Sequence, residues 1–355
     1  MISVKTVVFT GGHHTSALVV AQALKQRGWQ VVWIGHRRSM WGDQADSAEY
    51  TEVTAAGIEF HNLWAGKFYH TYNPLKLLLI PVGFIHSLLL LLWIRPAVIV
   101  SFGGYLAVPV VLCGWVMGIP AVTHEQTVVV GWANRVISKF ANRVAVAWPS
   151  SLAHFPKGKA VYVGLPVRPE ILALRKTGSV KKVYDPITVF ITGGKQGAHV
   201  INELIFANIH VLSRRYKIIH QTGSSTIYND ASRAQHIKVP GYETFAFDSK
   251  SWMAALGKSD VVVSRAGAHA VYELGLLGKR CVLIPIPWVS HQEQHRNAQV
   301  LVEAGGGVIL EQDQLSLKNL VAAIEQAKHL TPAPMNLPLD AVNSLLQLIE
   351  QVVKH

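Results

Sequence analysis

Val7-Val8-Phe9-Thr10-Gly11-Gly12 lies near the start of the chain, and Val189-Phe190-Ile191-Thr192-Gly193-Gly194 repeats its form in the second half. In each stretch, a run of β-branched and aromatic residues stops at a glycine pair, which predicts a buried strand that turns directly into a helix. A third pair, in Phe102-Gly103-Gly104-Tyr105, has the same setting. Bare backbone N–H groups and a helix dipole hold phosphate at such turns, so the three turns predict anionic, phosphorylated ligands.

The segments around these turns alternate between strand and helix patterns. In the first half, strands are predicted at Thr6–Thr10, Gln30–Gly35, Ala97–Ser101, Ala121–His124 and Val144–Ala147, with a helix at Ser16–Gln26. In the second half, strands are predicted at Ile187–Thr192, Lys217–Thr222, Asp260–Ser264 and Cys281–Pro285. The alternation predicts the α/β class, with two Rossmann-like, doubly wound parallel-sheet domains that face a central cleft at the carboxyl ends of their strands.

The junction between the two domains is predicted around Gly164–Pro186, where prolines and a Lys-Lys pair interrupt the periodicity. We therefore expect an N-terminal domain over residues 1–164 and a C-terminal domain over residues 165–355. The last helix is expected to pack back on the N-terminal domain.

The composition limits the classes of partner. The chain has 355 residues, of which 50% are hydrophobic and 15% charged, as in well-packed globular proteins. Its formal net charge of +12 favours acidic partners, which are nucleic acid, anionic lipid or a phosphorylated substrate. The basic residues are spread out, without zinc-finger spacing or a recognition-helix pattern, so we expect no nucleic-acid partner.

Three further classes are disfavoured by the motifs. Cys113 and Cys281 lie singly in apolar runs, which excludes a disulfide scaffold and a thiolate metal site. A nicotinamide-dinucleotide site requires Gly-x-Gly-x-x-Gly and a later acidic residue, whereas here the glycines are adjacent and the second strand ends at Gly35-His36-Arg37-Arg38. The first residues enter a strand at once, so we expect no secretory leader.

The stretch Leu77–Ile94 contains no charged residue and reaches the length at which a membrane-spanning helix must be considered. A single crossing would separate flanking strands that are predicted to share one sheet, and Pro81 and Gly83 interrupt the run. Two interpretations stay open: an interfacial segment at an anionic membrane surface, or a buried crossover helix. The candidate aromatic anchors of an interfacial segment are Trp64, Phe68, Tyr69, Tyr72 and Trp93.

Two segments of the second half suit a nucleotide sugar. Small residues after Asp260–Ser264 let the backbone approach a ligand closely, and Glu273 can accept two adjacent hydroxyls such as those of ribose. The loop Pro285–Ala298 is dense in amide, imidazole and carboxylate groups, which suits the hydroxyls of a sugar. The alternatives are that Glu273 is a surface or capping carboxylate and that the loop is merely solvated.

Seven motifs follow one another in order along nearly the whole chain. They are Thr10-Gly-Gly-His13, Phe102-Gly-Gly-Tyr105, His124-Glu-Gln126, Gly164-Leu-Pro-Val-Arg168, Gly193-Gly-Lys-Gln-Gly-Ala198, Arg265-x-Gly267 through Glu273, and Gln294-x-x-Asn297-Ala298. Together they resemble the MurG family, the undecaprenyldiphospho-muramoylpentapeptide N-acetylglucosaminyltransferases of glycosyltransferase family 28, which have the GT-B fold.

The resemblance implies an inverting transfer of GlcNAc from UDP-GlcNAc to the MurNAc 4-hydroxyl of lipid I, which gives lipid II for peptidoglycan. It also implies a peripheral protein on the cytoplasmic side of the cell membrane. No cofactor is expected, and the absence of an Asp-x-Asp pair agrees with an enzyme that needs no metal. The alternatives are a GT-B transferase acting on another lipid, such as diacylglycerol or another polyprenyl-pyrophosphate sugar, and a non-catalytic membrane-bound scaffold.

The resemblance also implies roles for single residues. His13 is the candidate general base and Glu125 the second choice, because a neutral imidazole accepts a proton near pH 7. Gly11, Gly12, Gly103 and Gly104 would hold the acceptor pyrophosphate. The residues implied in UDP-GlcNAc binding are Thr10, Gly11, Gly12, Thr127, Arg168, Lys195, Gln196, Ala268, His269, Ala270, Val271, Tyr272, Glu273 and Gln294. Of these, Glu273 would hold the ribose and Gln294 the transferred sugar.

The chain departs from the family pattern at four places. Val8 and Phe9 stand where the first loop usually has its leading glycines, Ser16 and Ala17 replace Pro-Gly, Thr127 replaces asparagine and Lys195 replaces serine. Lys195 either offers a point charge to the β-phosphate or crowds it.

Overall fold

The computed structural model describes residues 4–38, 46–66, 79–177, 186–289 and 292–354. The chain divides into two compact units, one of Met1–Arg168 with Pro338–His355 and the other of Pro169–Leu337. Each unit is built around one parallel β-sheet with helices packed against it. The two parallel-sheet units confirm the fold class expected from the sequence.

The described residues of the first unit form seven strands and five α-helices before the chain leaves it. The strands are β1 (Thr6–Thr10), β2 (Gln30–Gly35), β3 (Glu59–Asn62), β4 (Val98–Ser101), β5 (Ala121–Glu125), β6 (Arg143–Val146) and β7 (Ala160–Tyr162). The helices are α1 (His14–Gln26), α2 (Ala48–Ala55), α3 (Leu79–Ile94), α4 (Ala107–Val116) and α5 (Trp132–Phe140). The order of strands across the sheet is β3-β2-β1-β4-β5-β6-β7.

The second unit repeats this plan with six strands. They are β8 (Thr188–Thr192), β9 (Lys217–Gln221), β10 (Tyr242–Phe245), β11 (Val261–Ser264), β12 (Arg280–Leu283) and β13 (Gly307–Ile309). Its helices are α6 (Pro169–Thr177), α7 (His199–Leu212), α8 (Asp230–Gln235), α9 (Ser249–Lys258), α10 (Ala268–Leu277), α11 (Glu293–Glu303) and α12 (Leu317–Lys328). The sheet order is β10-β9-β8-β11-β12-β13.

The strand order reverses once in each sheet. In the first unit the reversal lies between β1 and β4, and in the second between β8 and β11. In open α/β sheets, ligands bind in the crevice outside the carboxyl ends of the strands at such a switch point. The glycine turns after β1, β4 and β8 therefore stand where the topology favours a ligand.

The last helix, α13 (Ala341–Lys354), belongs to the first unit and packs against α1. Its fully buried Leu345 and Ile349 share a hydrophobic cluster with Val20 and Leu24 of α1. At the edge of this contact, Arg27 donates to a Glu350 carboxylate oxygen at 2.9 Å. The apolar stripe of α13 thus completes one face of the first sheet.

Every strand expected from the sequence is present, within two residues of its expected ends. The four strands that the sequence patterns did not indicate are β3, β7, β10 and β13, which are the two edges of each sheet. A central strand is buried on both faces and therefore forms a continuous apolar run, whereas these edges are short and partly exposed. Their residues carry too little apolar signal for a prediction.

Helix α3 covers the described part of the Leu77–Ile94 stretch. It buries only one stripe, formed by Gly83, Ser87 and Leu91, and it exposes apolar side chains over much of the rest of its surface. The interpretation as a thoroughly buried crossover helix is therefore wrong. Among the described residues, no helix combines the length and the apolar character that a bilayer crossing requires. The candidate anchors Phe68, Tyr69 and Tyr72 lie outside the described residues.

Glu49 is a titratable group set into the first unit. It lies in the first turn of α2, and the Trp33 indole N–H donates to its carboxylate Oε1 at 2.7 Å. Gly35 makes room for it, because a Cβ there would lie 2.6 Å from the same oxygen. Burial raises the pKa of Glu49 to about 7, against the smaller opposite effect of the Trp33 hydrogen bond.

Because the folded state holds the Glu49 proton more tightly than the unfolded state, this group stabilises the fold below about pH 4.5. That contribution is lost as the pH rises to about 7, and it amounts to about 3 kcal/mol. Glu49→Gln keeps an acceptor for Trp33 without the charge, so we expect it to raise the free energy of unfolding at pH 8 relative to the wild type and to change it little at pH 4.5. Urea unfolding at the two pH values measures this.

The matched control for this prediction is Glu243→Gln, since Glu243 is exposed on β10. This variant should lose stability between pH 4.5 and 8 to the same extent as the wild type. If Glu49→Gln lost as much free energy of unfolding as the wild type between pH 4.5 and 8, this pH dependence would not come from Glu49.

Candidate functional site

The glycine turns after β1 and β4 form one site in the first unit. The two strands are neighbours, and Phe102 N–H donates to Thr10 C=O at 2.8 Å. One residue further, Gly12 N–H donates to Gly103 C=O at 3.1 Å. The structure therefore brings together two turns that are far apart in the sequence.

Both turns depend on glycine. Gly11 has φ +131°, and a Cβ there would lie 2.7 Å from the Gly103 carbonyl oxygen. Gly104 has φ +80°, and its Cβ would lie 3.0 Å from Gly12 N. Any side chain at these positions would push the two turns apart, because such φ values strain L-residues and the space is already occupied.

Helix α1 begins at His14, directly after the first turn, so its first-turn N–H groups face the same crevice. His13 precedes this helix and has exposed surface. The protein atoms around its ring still desolvate it, which lowers the pKa of His13 from the usual value despite the opposite effect of Glu125. The imidazole is therefore neutral at pH 7 and can accept a proton.

Glu125, the second candidate base, is buried at the end of β5 and fully occupied. Its Oε1 accepts from the backbone N–H and the hydroxyl of Thr127, at 3.1 and 2.8 Å. Its Oε2 accepts from Gly131 N–H at 3.2 Å and from the Asn134 side-chain amide at 3.0 Å. The carboxylate thus organises the loop that follows β5, and Thr127 is buried in the same network.

Asn134 connects this network to the second glycine turn. Besides donating to Glu125, it accepts from the Thr123 hydroxyl at 2.8 Å, and its amide nitrogen would lie 2.8 Å from a Cβ at Gly103. Asn134 was not predicted from the sequence. The signal available was a polar residue on the inner face of α5, which one sequence alone does not distinguish from an ordinary helix residue.

His124 anchors the segment that ends the first unit. Its ring is buried, and Nε2 donates to Gly164 C=O at 2.9 Å. Burial lowers the pKa of His124 to about 4, so the imidazole is neutral and Nε2 carries the proton. The Ser16 hydroxyl donates to Pro166 C=O at 2.8 Å, which gives the segment leading to Arg168 a second attachment.

In the second unit, the turn Thr192–Ala198 packs against the segment after β9. Gly197 has φ +87°, and a Cβ there would lie 2.0 Å from Thr222 C=O. The Gln221 side-chain amide donates to Gly194 C=O at 3.0 Å and to Ala246 C=O at 2.8 Å. The end of β9 therefore holds the turn at two points, and Gln221 also connects it to the segment after β10.

Lys195 and Gln196 lie at the tip of this turn. Ser224 N–H donates to Lys195 C=O at 2.9 Å, while the Lys195 ammonium lies 5.9 Å from the centre of the Phe247 ring. A cation at this distance is attracted to the ring face. Phe247, in the loop after β10, was not predicted from the sequence because β10 itself gave no signal.

The start of α10 supplies a second set of backbone donors at the switch point. Val271 N–H donates to Gly267 C=O at 3.0 Å, which places the amides of Ala268 and Ala270 in the first turn, ahead of the intrahelical hydrogen bonds. The side chains of Val271 and Tyr272 are fully buried, and Val271 N–H is used within the helix. Glu273 is also buried, one turn further along the helix; His269 is half-buried.

Helix α11 and its preceding loop support this helix start. Gln294 accepts from Ile286 N–H at 3.1 Å through Oε1, and the Asn297 amide donates to Ala266 C=O at 3.3 Å. The buried Arg265 guanidinium donates to Ile284 C=O at 3.1 Å, and burial lowers its pKa to about 10. Of the polar loop expected between Pro285 and Ala298, Ser290 and His291 lie outside the described residues.

One group of side chains among the described residues has the spacing of metal ligands. It consists of His199, Glu203 and Asp230, whose ligand atoms lie within 4.8 Å of one another. These groups already have protein partners, since Arg233 pairs with Glu203, and Asp230 accepts from His199 and, at 2.7 Å, from the Asn202 amide. The arrangement is a satisfied polar network beside the start of α7.

Two parallel-sheet units of this strand order, each with a glycine turn at its switch point, have the GT-B fold. The crystal structure of MurG from Acinetobacter baumannii has the same fold. It aligns with 98% of this chain and 99% of its own, with a TM-score of 0.73 and 24% sequence identity.

Sequence comparison defines the family. Residues 5–146 match the glycosyltransferase family 28 N-terminal domain, and residues 188–347 match the glycosyltransferase family 28 C-terminal domain. The chain belongs to glycosyltransferase family 28. The resemblance found in the sequence motifs is thereby confirmed, as is the expectation of a glycosyltransferase.

Relatives with curated names are similar along nearly the whole chain. The protein from Desulfotalea psychrophila is 31% identical over 97% of this chain and 95% of its own length. The protein from Pseudoalteromonas translucida is 32% identical over 89% of this chain and 86% of its own length. Both are named UDP-N-acetylglucosamine–N-acetylmuramyl-(pentapeptide) pyrophosphoryl-undecaprenol N-acetylglucosamine transferase.

Proposed function

We propose that the chain transfers GlcNAc from UDP-GlcNAc to the MurNAc 4-hydroxyl of lipid I, the undecaprenyl-pyrophosphoryl-MurNAc-pentapeptide, and so forms lipid II for peptidoglycan. The observation that carries the proposal is the likeness, over nearly the full length, to relatives named for this transfer. The two joined glycine turns and the start of α10 support it, because the reaction brings together two diphosphate-bearing substrates.

The acceptor is assigned to the first unit. The paired turns, at Gly11, Gly12, Gly103 and Gly104, and the first turn of α1 would hold its pyrophosphate. Gly12 N–H and Gly103 N–H already donate within the turns, to Gly103 C=O and to the Ser101 hydroxyl, so the donors would be the other N–H groups of the turns and those of α1. Their fixed backbone supplies donors and a helix dipole without a conformational rearrangement. Thr10 would belong to the same site through its position at the end of β1.

His13 is proposed as the general base. Its neutral imidazole would take the proton of the acceptor 4-hydroxyl while that oxygen forms a bond to the anomeric carbon and UDP leaves from the opposite face, which inverts the configuration. Glu125 is disfavoured for this task, because neutral donors already occupy both of its oxygens. We assign Glu125 and Thr127 to holding the loop after β5.

The donor is assigned mainly to the second unit. The first-turn amides of α10 at Ala268, His269 and Ala270, with the Lys195 ammonium, would stabilise the charge on the leaving UDP. Glu273 would accept the ribose hydroxyls, and Arg168 and Gln196 would lie near the nucleotide. Gln294 uses its oxygen for Ile286 N–H, so its amide nitrogen is the group offered to the transferred sugar.

We also propose peripheral attachment to the cytoplasmic side of the cell membrane through the first unit. Helix α3 exposes several large apolar side chains, and Trp115 and Val116 at the end of α4 add to them. An exposed apolar surface of this extent marks an interaction site, and a net charge of +12 favours an anionic lipid surface.

Incubation of the purified protein with labelled UDP-GlcNAc tests the transfer. We expect labelled product with a lipid I analogue and none with diacylglycerol offered in parallel. Labelled product with diacylglycerol and none with the lipid I analogue would mean that diacylglycerol, and not lipid I, is the acceptor. Binding of neither UDP-GlcNAc nor UDP would favour a non-catalytic scaffold.

In the same assay, His13→Ala should lower kcat by at least about a hundredfold, because a positioned base contributes this much or more. The KM for UDP-GlcNAc should stay within about twofold, since the donor does not depend on this side chain. Added imidazole should restore part of the rate. His14→Ala, one residue along, is the control and should retain near wild-type turnover. An unchanged kcat in His13→Ala would show that His13 is not the general base.

Flotation with phosphatidylglycerol vesicles tests the attachment. Trp93→Glu places a charge on the exposed face of α3, where Trp93 is 67% exposed, and should weaken vesicle binding by about tenfold. Ile227→Glu charges a residue of the second unit that is 78% exposed and should leave binding unchanged. Equal flotation of the two variants and the wild type would exclude attachment through α3.

A further inference from the structure

A preformed apolar groove runs beside the exposed face of α3 in the first unit. Its volume is about 570 Å³, and it is lined by Asn62, Trp64, Val82, Ile85, His86 and Leu89. This volume is within the range of pockets that bind small ligands. Ile85 and Leu89 remain 61% and 59% exposed, so the described residues of the first unit leave much of their apolar surface uncovered.

Two contacts fix the walls of the groove. Gly83 lets the backbone of α3 approach the segment after β3 closely, since a Cβ there would lie 2.8 Å from the Ala65 Cβ. On the next turn, Trp64 N–H donates to His86 Nδ1 at 3.2 Å, and the two rings meet edge to face with their centroids 6.4 Å apart. The groove is therefore shaped before any ligand arrives.

Asn62, the last residue of β3, lines the groove, so this part of the groove lies at the same rim of the sheet as the paired glycine turns. All strands of this sheet are parallel, and β3 is two strands from β1, so their carboxyl ends are about 10 Å apart. Hydrogen bonds connect residues that lie between the glycine turns and the groove. Tyr105, next to Gly104, places its hydroxyl 3.2 Å from His36 Nδ1, and Arg37 N–H donates to the Asn62 side-chain oxygen at 2.9 Å.

We propose that this groove binds the hydrocarbon chain of the polyprenyl-pyrophosphate acceptor, an inference that rests on the function proposed above. The relatives' substrate, a pyrophosphoryl-undecaprenol, joins a long apolar chain to the anion that the glycine turns suit. Its chain leaves the pyrophosphate at the rim and meets the apolar groove about 10 Å along that rim. Membrane acyl chains carry no such link to the turns, so they would explain the apolar lining but not its position beside the proposed anion site.

Acceptors with the same MurNAc-pentapeptide pyrophosphate head and either a long polyprenyl chain or a short, water-soluble prenyl chain test the proposal with the full-length protein in detergent. The wild type should have a lower KM for the long-chain acceptor. Ile85→Ser removes apolar surface from the groove and should raise that KM by about tenfold. The KM values for the short-chain acceptor and for UDP-GlcNAc should change by less than about twofold.

Leu92→Ser is the matched control, because Leu92 lies on the same helix, is 51% exposed and does not line the groove. Its ratio of long-chain to short-chain KM should equal that of the wild type. Equal KM increases in the two variants would mean that α3 contacts only the micelle or membrane, and equal wild-type KM values for both acceptors would overturn the groove as a chain site.

A second measurement does not depend on transfer. Polyprenyl phosphate carrying a photoreactive group on its chain should label peptides around Trp64 and Ile85 in the wild type and label them less in Ile85→Ser. Labelling elsewhere would overturn the proposal. If the groove is labelled but the protein transfers no sugar, the proposed function would be refuted, while the groove would still be a site that binds the polyprenyl chain.

Discussion

The contact between Gly12 N–H and Gly103 C=O is the constraint on which the proposed acceptor site depends. It forms because β1 and β4 are neighbours at the switch point, and it persists because Gly11 and Gly104 lack the side chains that would separate the turns. The bond joins the start of α1, the end of β4 and, through Asn134, the loop ordered by Glu125. The joined turns therefore hold His13 and the start of α1 next to the end of β4, where the acceptor pyrophosphate is proposed to bind.

How much the sequence could predict depends on burial. Central strands such as β1 and β8 have both faces covered, so their residues form unbroken apolar runs that indicate a parallel strand without further information. The edges, such as β3 and β13, pair on one side only and tolerate polar residues, so their sequences resemble loops. The edge strand β3 nevertheless ends at Asn62, which lines the groove proposed for the hydrocarbon chain of the acceptor.

The same division holds within the candidate site. The glycine turns were predictable because an apolar run that stops at two glycines is typical of a buried strand turning into a helix, and the structure joins two of these turns. The task of Glu125 was not predictable, because its donors belong to Thr127, Gly131 and Asn134, and only the folded loop brings these residues to its carboxylate. The sequence motif shows that a carboxylate is present at position 125. Only the folded structure shows that hydrogen bonds already occupy its oxygens.

Burial also explains how the chain accommodates its departures from the family pattern at Val8 and Phe9. Val8 and Phe9, in place of glycines, point to opposite faces of β1, where both are fully buried. Phe9 stacks with Trp33 and Phe102 at centroid distances of 5.7 and 6.4 Å. These side chains therefore fill the core behind the turn instead of narrowing the crevice in front of it. The backbone after Thr10 still makes the Gly12 contact, so Val8 and Phe9 are compatible with the joined arrangement of the two turns.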